Sequence, residues 1–402
     1  TKGGCTVNRQ HAGVLFGGIL LLVVAMGISR FAFTPLLPFM RVDEGLSFQE
    51  AGWLASSNYV GYFVGALGAG FIYRRKKGFL LSNVLLNVVS IIGMGLTHSF
   101  ALWIVLRFIA GVTSGFIFVL TSSIIMDYLA KHLLTRWSGY AFSGIGIGIA
   151  ISGLCVPFIE TRFLWEGTWI GLGLLSTTFI VLTLLLWRHI VVQDSERVAK
   201  TADTNIWRGF MPWLIIAYGL EGLGYIITGT FLVDIIYNIE NLRGYASYSW
   251  VVVGIAAAPS APFWMAMMSR FKPIHVMFVA YILQVFGIVL PVLSQTVWSV
   301  LLSAFLYGCT FVGIVTLATG YGRQLFPRQS GSVVSILTTF YAVGQIIGPV
   351  IASRLEGHFN TFKAPLLFAS SIVFCALLIL ISGYAFTHRK KVIQVERVKS
   401  TS

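Results

Sequence analysis

Long apolar segments alternate with short polar segments along almost the whole chain. A bilayer core about 30 Å thick needs roughly 20 apolar residues per helix, and the segments reach or approach this length. None shows the weak period-two alternation of transmembrane strands. We therefore predict an all-α membrane protein with twelve transmembrane helices, over residues 12–40, 48–73, 79–97, 100–126, 138–159, 168–188, 210–238, 247–269, 274–293, 296–321, 332–354 and 364–387.

The longest polar segment divides the predicted spans into six and six. We expect an N-terminal six-helix bundle over 1–191, a cytoplasmic linker over 192–208, and a C-terminal six-helix bundle with a basic cytoplasmic tail over 209–402. Two short matches relate the halves. Residues 27–37 resemble 222–232, and residues 136–139 resemble 328–331, at offsets of 195 and 192 residues. Two pseudo-symmetric bundles follow from this duplication, as in parallel-repeat transporters.

Composition and charge placement agree with a membrane protein. Of the 402 residues, 56% are hydrophobic and only 10% are charged, whereas soluble domains carry about 25% charged residues. The net charge of +14 is concentrated near the N-terminus, in alternate loops and in the C-terminal tail. This is the positive-inside pattern, so both termini should be cytoplasmic. This charge placement also disfavours nucleic acid as a partner. The expected partner of the chain is therefore the lipid bilayer.

Several motifs resemble those of the major facilitator superfamily over essentially the full chain. Residues 68–78 resemble its loop between helices 2 and 3, without the usual Asp, and residues 107–115 resemble the arginine–glycine motif of its helix 4. Residues 344–349 resemble its glycine–proline motif. Residues 27–38 and 218–225 are similar to the YbfB/YjiJ branch of bacterial transporters. The resemblance implies a monomer in the bacterial inner membrane whose helices 1, 4, 7 and 10 line a central cavity.

Only three ionisable side chains lie deep in the predicted spans, namely Arg30, Arg107 and Glu221. A buried charge in lipid costs at least roughly 2.5–3.5 kcal/mol, so such groups usually face a partner or a watery cavity. Arg30 either binds an anion through two hydrogen bonds from its guanidinium or donates hydrogen bonds to carbonyl groups of neighbouring helices. Arg107 either contacts substrate or has the structural or gating role that the family motif implies. Glu221 is either a proton carrier or a static counter-ion of the arginines.

Polar side chains at helical spacing from these charges complete the predicted substrate site. Together with Arg30 and Arg107, they are Thr34, Asn58, Tyr62, Ser114, Tyr225, Thr228, Tyr341 and Gln345. Glu221 is the predicted proton-coupling residue. Asn83 and Asn87 are interpreted as packing groups, and Tyr281 and Gln284 are discounted because span 9 is expected to face lipid. Asp127 and Asp234, near span ends, are interpreted as interfacial or gate residues.

Small residues are concentrated in spans 2, 5, 8 and 11. They include Gly61, Gly65, Gly146, Gly254 and Gly344, and small residues let helix backbones approach closely. The resemblance implies that these four helices form the contacts between the two halves. We therefore expect the glycines to mark the surfaces that move during transport.

These observations predict a secondary transporter rather than an enzyme. The histidines and cysteines show no metal-ligand spacing, no phosphate-binding glycine loop is present, and no cofactor is expected. Two arginines at one depth favour a small organic anion, carried with protons by alternating access. The alternative is proton-driven efflux of amphipathic drugs or metabolites through Glu221 and the aromatic residues. Neither the direction of transport nor the substrate follows from the sequence.

Overall fold

The computed structural model describes residues 9–72, 75–134, 137–188, 190 and 206–400, with the backbone alone described from 388 onward. Most of the predicted linker, Arg74 of the loop motif and Arg136 of the internal repeat lie outside these ranges. The α-helices are α1 (Arg9–Leu22), α2 (Phe33–Glu44), α3 (Phe48–Ala69), α4 (Lys76–Met94), α5 (Phe100–Lys131), α6 (Ser138–Ala141), α7 (Ser143–Leu186), α8 (Met211–Tyr237), α9 (Ala246–Ala257), α10 (Ser260–Arg270), α11 (Pro273–Leu293), α12 (Val297–Leu325), α13 (Ser330–Phe359) and α14 (Lys363–Ser400). No β-strand occurs within the described ranges, as an all-α fold requires.

Most helices are long and apolar enough to cross a membrane. Within the described part of the chain, nine spans meet this condition, and the bent pair α9 and α10 adds a tenth. Helix α7 covers two predicted spans and breaks at Leu164, where φ is 55°. Helix α3 has 22 residues, which is sufficient length for a bilayer core. The all-α membrane fold is confirmed, and the count of twelve spans stays a prediction.

The first predicted span is not a continuous α-helix. After α1, residues Val23–Ile28 form a π-helical turn, and residues 29–32 form a turn before α2 begins. The amide of Ser29 donates to the carbonyl of Val24 at 2.9 Å, and that of Thr34 donates to Phe31 at 3.2 Å. This shift in pairing frees carbonyl groups at Ser29 and Arg30 for other donors. Irregular backbone of this kind is tolerated at membrane depth where protein buries it.

Local sequence signals explain where neighbouring helices begin and end. Helix α2 stops at Gly45, whose φ of 66° is left-handed. The hydroxyl of Ser47 then accepts from the amide of Glu50 at 3.1 Å, and the Glu50 carboxylate accepts from the amide of Ser47 at 2.9 Å. This reciprocal capping box fixes the start of α3. The break between α2 and α3 therefore lies in a defined turn.

The two halves of the chain contact each other mainly along α3 with α13 and α7 with α9. These are the predicted spans 2, 11, 5 and 8, so the expectation that these four helices join the halves is confirmed. At the second seam, a side chain at Gly146 would collide with the backbone of Ala258, and one at Gly254 would collide with that of Ala150. The close approach of α7 and α9 therefore depends on these two glycines.

The predicted role of Gly61, Gly65 and Gly344 is wrong. Gly61 and Gly65 of α3 pack against the backbone of Phe108 and Val112 on α5, inside the N-terminal half, and Gly344 of α13 packs on α8 inside the C-terminal half. The seam between α3 and α13 instead includes a hydrogen bond of 2.8 Å from the Ser56 hydroxyl to the Ile346 carbonyl. Glycine content indicates close packing but does not indicate which neighbour is packed.

Candidate functional site

Arg30 lies at the break in the first span, between the π-helical turn and α2. It is 3% exposed. Its guanidinium carbon lies 4.4 Å from the ring centre of Tyr62, 5.0 Å from that of Tyr59 and 5.1 Å from that of Phe31. Its Nε and Nη2 atoms are buried and have no hydrogen-bond partner. The guanidinium is thus held by aromatic faces, while its Nε and Nη2 atoms remain free to donate hydrogen bonds.

The surroundings of Arg30 also include residues of the opposite half. The adjoining Phe31 ring contacts Trp250 at 6.3 Å and Phe311 at 6.1 Å between ring centres. Arg30 therefore lies where the two halves meet, at the middle of the bundle.

Arg107 on α5 is engaged differently. Its Nη1 donates to the carbonyl of Ser29 at 3.1 Å, and its Nη2 approaches the carbonyl of Arg30 at 3.5 Å. The guanidinium lies 4.6 Å from the centre of the Phe33 ring. These are two carbonyls that the π-helical turn leaves free. Arg107 thus stabilises the backbone at Ser29 and Arg30.

A buried polar network surrounds this break. Asn87 of α4 donates to the hydroxyls of Ser29 and Thr113 at 2.9 and 2.7 Å, and the hydroxyl of Ser114 bonds that of Ser29 at 3.1 Å. Asn58 of α3 donates to the carbonyl of Arg107 at 2.9 Å. The predicted site residues Asn58 and Ser114 thus contact the framework around Arg30, and Asn87 is the packing group that the sequence indicated.

Glu221 on α8 is fully buried. Its Oε1 accepts from the Nε2 amide of Gln284 at 2.8 Å, and its Oε2 is buried without a hydrogen-bond partner. Among the described residues, no ion pair joins Glu221 to an arginine. The static salt bridge considered from the sequence is therefore not present in this conformation.

The contact with Gln284 corrects the sequence analysis, which discounted this residue. Gln284 and Tyr281 lie on α11 with no exposed surface, and the Tyr281 hydroxyl donates to the carbonyl of Ala217 at 3.4 Å. A polar side chain in a span otherwise rich in aliphatic residues faces the protein interior rather than lipid. Applied to Gln284, this rule could have identified it as the partner of Glu221.

A stack of aromatic rings joins α8, α12 and α13. Tyr218 stacks on Tyr341 at 4.4 Å between centres, and Tyr341 stacks on Tyr225 at 5.3 Å. Tyr225 stacks in turn on Phe311 at 5.9 Å, and Tyr307 lies 5.4 Å from Phe311. Tyr218, Tyr307 and Phe311 were not identified from the sequence. They occur at helical spacing in α8 and α12, which is also what ordinary core packing produces.

The remaining predicted residues complete the C-terminal wall. Gln345 donates its amide to the Tyr225 hydroxyl. The hydroxyls of Thr228 and Tyr341 are buried and lack hydrogen-bond partners. Thr34 of α2 donates to the carbonyl of Gly229 on α8 at 2.6 Å, which ties the two halves together beside Arg30. The structure thus places all the predicted side chains within or immediately around one interior region.

An ion pair also joins the two halves. Arg41 of α2 donates through Nη1 to Oδ2 of Asp234 on α8 at 2.5 Å, with side-chain exposures of 20% and 1%. Phe48 lies beneath the Arg41 guanidinium and stacks on Phe231 at 4.0 Å between centres. Asp234 is thus part of a contact between the halves. Asp127 instead pairs with Lys76 at 3.7 Å within the N-terminal half.

Known proteins resemble this chain in sequence and in fold. The family model described as "Uncharacterised MFS-type transporter YbfB" matches residues 22–381. The chain belongs to this family. Among curated relatives, the MFS-type transporter YcaD of Escherichia coli K12 is 23% identical over 385 residues, covering 93% of this chain and 97% of YcaD. YcaD of Escherichia fergusonii is 23% identical over 392 residues, covering 95% and 98%.

Among solved structures, a point mutant of the nucleoside transporter NupG aligns with a TM-score of 0.72 at 12% identity, covering 92% of this chain and all of NupG. A second NupG structure aligns with a TM-score of 0.67, also at 12% identity, covering 94% of this chain and 99% of that one. This similarity shows the major facilitator fold. The chain is therefore a multi-pass membrane protein of a bacterial family of secondary transporters, whose members carry small molecules.

Proposed function

We propose that this transporter carries a small organic anion, bound by Arg30, across the inner membrane together with protons. One observation carries the proposal, namely the pair of free donors on Arg30. Nε and Nη2 lie on the same edge of the guanidinium, and this edge forms two parallel hydrogen bonds to a carboxylate, sulfonate or phosphate. An unsatisfied buried cation is costly, so an anionic ligand at this edge stabilises the site.

The surroundings of Arg30 favour an anion over a cation. The side chain already has three aromatic faces against it, and no acidic residue within the described ranges forms an ion pair with it. The adjacent Tyr225 and Tyr341 rings offer flat apolar surface for the rest of the substrate. Arg107, bonded to backbone carbonyls, positions Arg30 rather than binding substrate.

Glu221 carries the proton in this proposal. Its Oε2 has no hydrogen-bond partner, and within the described ranges no cation forms an ion pair with it. An unpaired charge in the membrane interior is costly. A proton on Glu221 removes that charge while the halves are closed, and hydration of the open site allows its release. Gln284 holds the carboxyl group in place.

The contacts between the halves support alternating access. The positive-inside pattern favours cytoplasmic termini and an outer position for the Arg41–Asp234 pair. In this proposal the protein is a monomer with N-terminal, linker and C-terminal parts at 1–191, 192–208 and 209–402. The pair keeps the outer side closed. Its opening, with rocking along the α7–α9 and α3–α13 seams, exposes Arg30 to the outside.

The second candidate is proton-driven efflux of amphipathic compounds. It is favoured by the stacked rings of Tyr218, Tyr341 and Tyr225 beside the free oxygen of Glu221, which suit a cationic aromatic compound. The free donors of Arg30 oppose such a ligand because like charges repel.

A thermal-shift screen of the purified protein separates the two candidates. We expect carboxylates, sulfonates or phosphates to raise the melting temperature and amphipathic cations to leave it unchanged. Arg30→Lys retains the charge but loses the fork, so the dissociation constant of a stabilising anion should rise about 10- to 100-fold, the equivalent of about 1.5–3 kcal/mol. Arg270→Lys, at an exposed helix end, is the matched control. Stabilisation by cations alone, or by anions equally in Arg30→Lys, contradicts the proposal.

A further inference from the structure

A cluster of metal-ligating side chains lies apart from the transport site, at the outer end of the N-terminal half. Glu44 ends α2, His98 precedes α5, and Glu166 follows the break in α7. One ligand atom from each residue lies within 4.8 Å of the other two. The sequence shows no metal-ligand spacing here because the three ligands come from three distant segments.

The cluster contains one hydrogen-bonded pair and one unpaired carboxylate oxygen. The imidazole of His98 and the carboxylate of Glu44 form a hydrogen bond of 2.7 Å between Nδ1 and Oε1. Glu166 Oε2 is buried and has no hydrogen-bond partner. A carboxylate oxygen that is withdrawn from water and unpaired needs a proton or a cation. The ligand atom of Glu166 lies within 4.8 Å of those of Glu44 and His98, and all three side chains can ligate a metal ion.

Rigid packing holds the three ligands near one another. Trp165 meets the His98 ring edge-on at 5.5 Å between centres, and it meets Trp103 in the same way at 5.5 Å. A side chain at Gly95 would collide with the backbone carbonyl of Glu166, so the turn after α4 and the start of the second part of α7 are in direct contact. Ordered supports of this kind hold metal ligands in place.

We propose that Glu44, His98 and Glu166 bind a divalent transition-metal ion of the zinc class. One imidazole nitrogen and two carboxylate oxygens form a known zinc ligand set, with bonds of about 2.0–2.2 Å and a fourth position left to water. To share one ion at these distances, the exposed His98 side chain moves slightly away from Glu44, and Glu166 moves towards both. Mg²⁺ is disfavoured because it prefers octahedral oxygen ligands.

The site has a mechanical consequence for the transporter. Glu44 lies one helical turn after Arg41, whose ion pair with Asp234 closes the outer side. An ion held by Glu44, His98 and Glu166 ties the end of α2 to α5 and α7. The ion therefore fixes the segment that carries Arg41. Binding of the metal ion at this site does not depend on which substrate the protein transports.

Titration of the purified protein with ZnCl₂, after removal of any affinity tag and of bound metal, tests the site. We expect one equivalent to bind saturably and to raise the melting temperature by a few degrees, on the order expected when the ion exceeds its dissociation constant about 100-fold. MgCl₂ should give no shift. Co²⁺ in place of Zn²⁺ should give the visible absorption bands of a four-coordinate ion.

Variants of the ligands and a matched histidine complete the test. Glu166→Gln keeps shape and removes no histidine, and His98→Ala alters an exposed side chain, so the fold of at least one variant is retained. Each should weaken Zn²⁺ binding at least about tenfold and abolish the Co²⁺ bands. His358→Ala, in the C-terminal half, should bind as the parent does. Absence of saturable binding in the parent, or unchanged binding in both ligand variants, overturns the proposal.

Discussion

Removal of Arg41 should open the outer side of the transporter. Asp234 is 1% exposed, and Arg41 is its only cationic partner within the described residues. The side-chain amide of Asn238 donates to the other oxygen of Asp234, Oδ1, over a long distance of 3.4 Å. Arg41→Gln therefore leaves a buried carboxylate almost unpaired. Breaking a buried ion pair in this way costs about 3–5 kcal/mol, and the cost applies only to the closed state, since water reaches Asp234 when the halves separate.

The reciprocal change should be much milder. Asp234→Asn retains shape and neutralises the buried partner, while Arg41, 20% exposed, keeps its bond of 3.2 Å to the Leu46 carbonyl. We expect a loss of about 1 kcal/mol, typical of one hydrogen bond. At 1.36 kcal/mol per tenfold, Arg41→Gln shifts the equilibrium between closed and open states by about two to three and a half orders of magnitude. Asp234→Asn shifts it by less than about tenfold.

Double electron–electron resonance measures this equilibrium. Spin labels on cysteines at 162 and 360, in a background without the four native cysteines, report the separation of the halves on the outer side. We expect the distance between the two labels to be short in the parent and mostly long in Arg41→Gln. The double variant Arg41→Gln/Asp234→Asn should give the same distance distribution as Asp234→Asn alone. Arg243→Gln, which alters an exposed arginine, is the control. Equal effects of Arg41→Gln and Asp234→Asn, or no effect of either, would refute this reasoning.

Two further predictions concern topology and the second arginine. Single cysteines should react with a membrane-impermeant maleimide from outside at positions 43, 162 and 360, and from the cytoplasmic side at positions 77 and 270; labelling on the reverse sides rejects the predicted orientation. Arg107→Lys loses at least one of the carbonyl contacts at Ser29 and Arg30, so thermal stability should fall by about 1–3 kcal/mol while anion affinity falls less than in Arg30→Lys. A larger loss of anion affinity in Arg107→Lys, measured by the same thermal shifts, would assign Arg107 to the substrate.

The hydrophobic pattern was sufficient to predict the all-α membrane fold, because the cost of burying polar groups in lipid acts on each segment separately. It could not predict the π-helical turn at Val23–Ile28. That break depends on donors from elsewhere, chiefly Arg107, which satisfy the carbonyls it frees. The depth of Arg30 and Glu221 was visible in the sequence, whereas their lack of a mutual ion pair depends on the tertiary structure.

Two errors have the same physical origin. Gln284 was discounted because its span was expected to face lipid, and Gly61 was assigned to the seam between the halves although it packs inside one half. The hydropathy of the sequence distinguishes membrane-spanning segments from water-exposed ones. It does not specify which helices are neighbours in the fold. Both features required the positions of neighbouring helices.

The separate roles of Arg30 and Glu221 are tested most directly by transport in proteoliposomes with the anion selected by thermal shift. Glu221→Gln mimics the protonated carboxyl and can still accept a hydrogen bond from Gln284. We expect this variant to exchange labelled for unlabelled anion across the membrane at close to the parent rate. It should fail to accumulate the anion against its gradient when a proton gradient is imposed. Uphill accumulation in Glu221→Gln with the pH dependence of the parent would contradict the account.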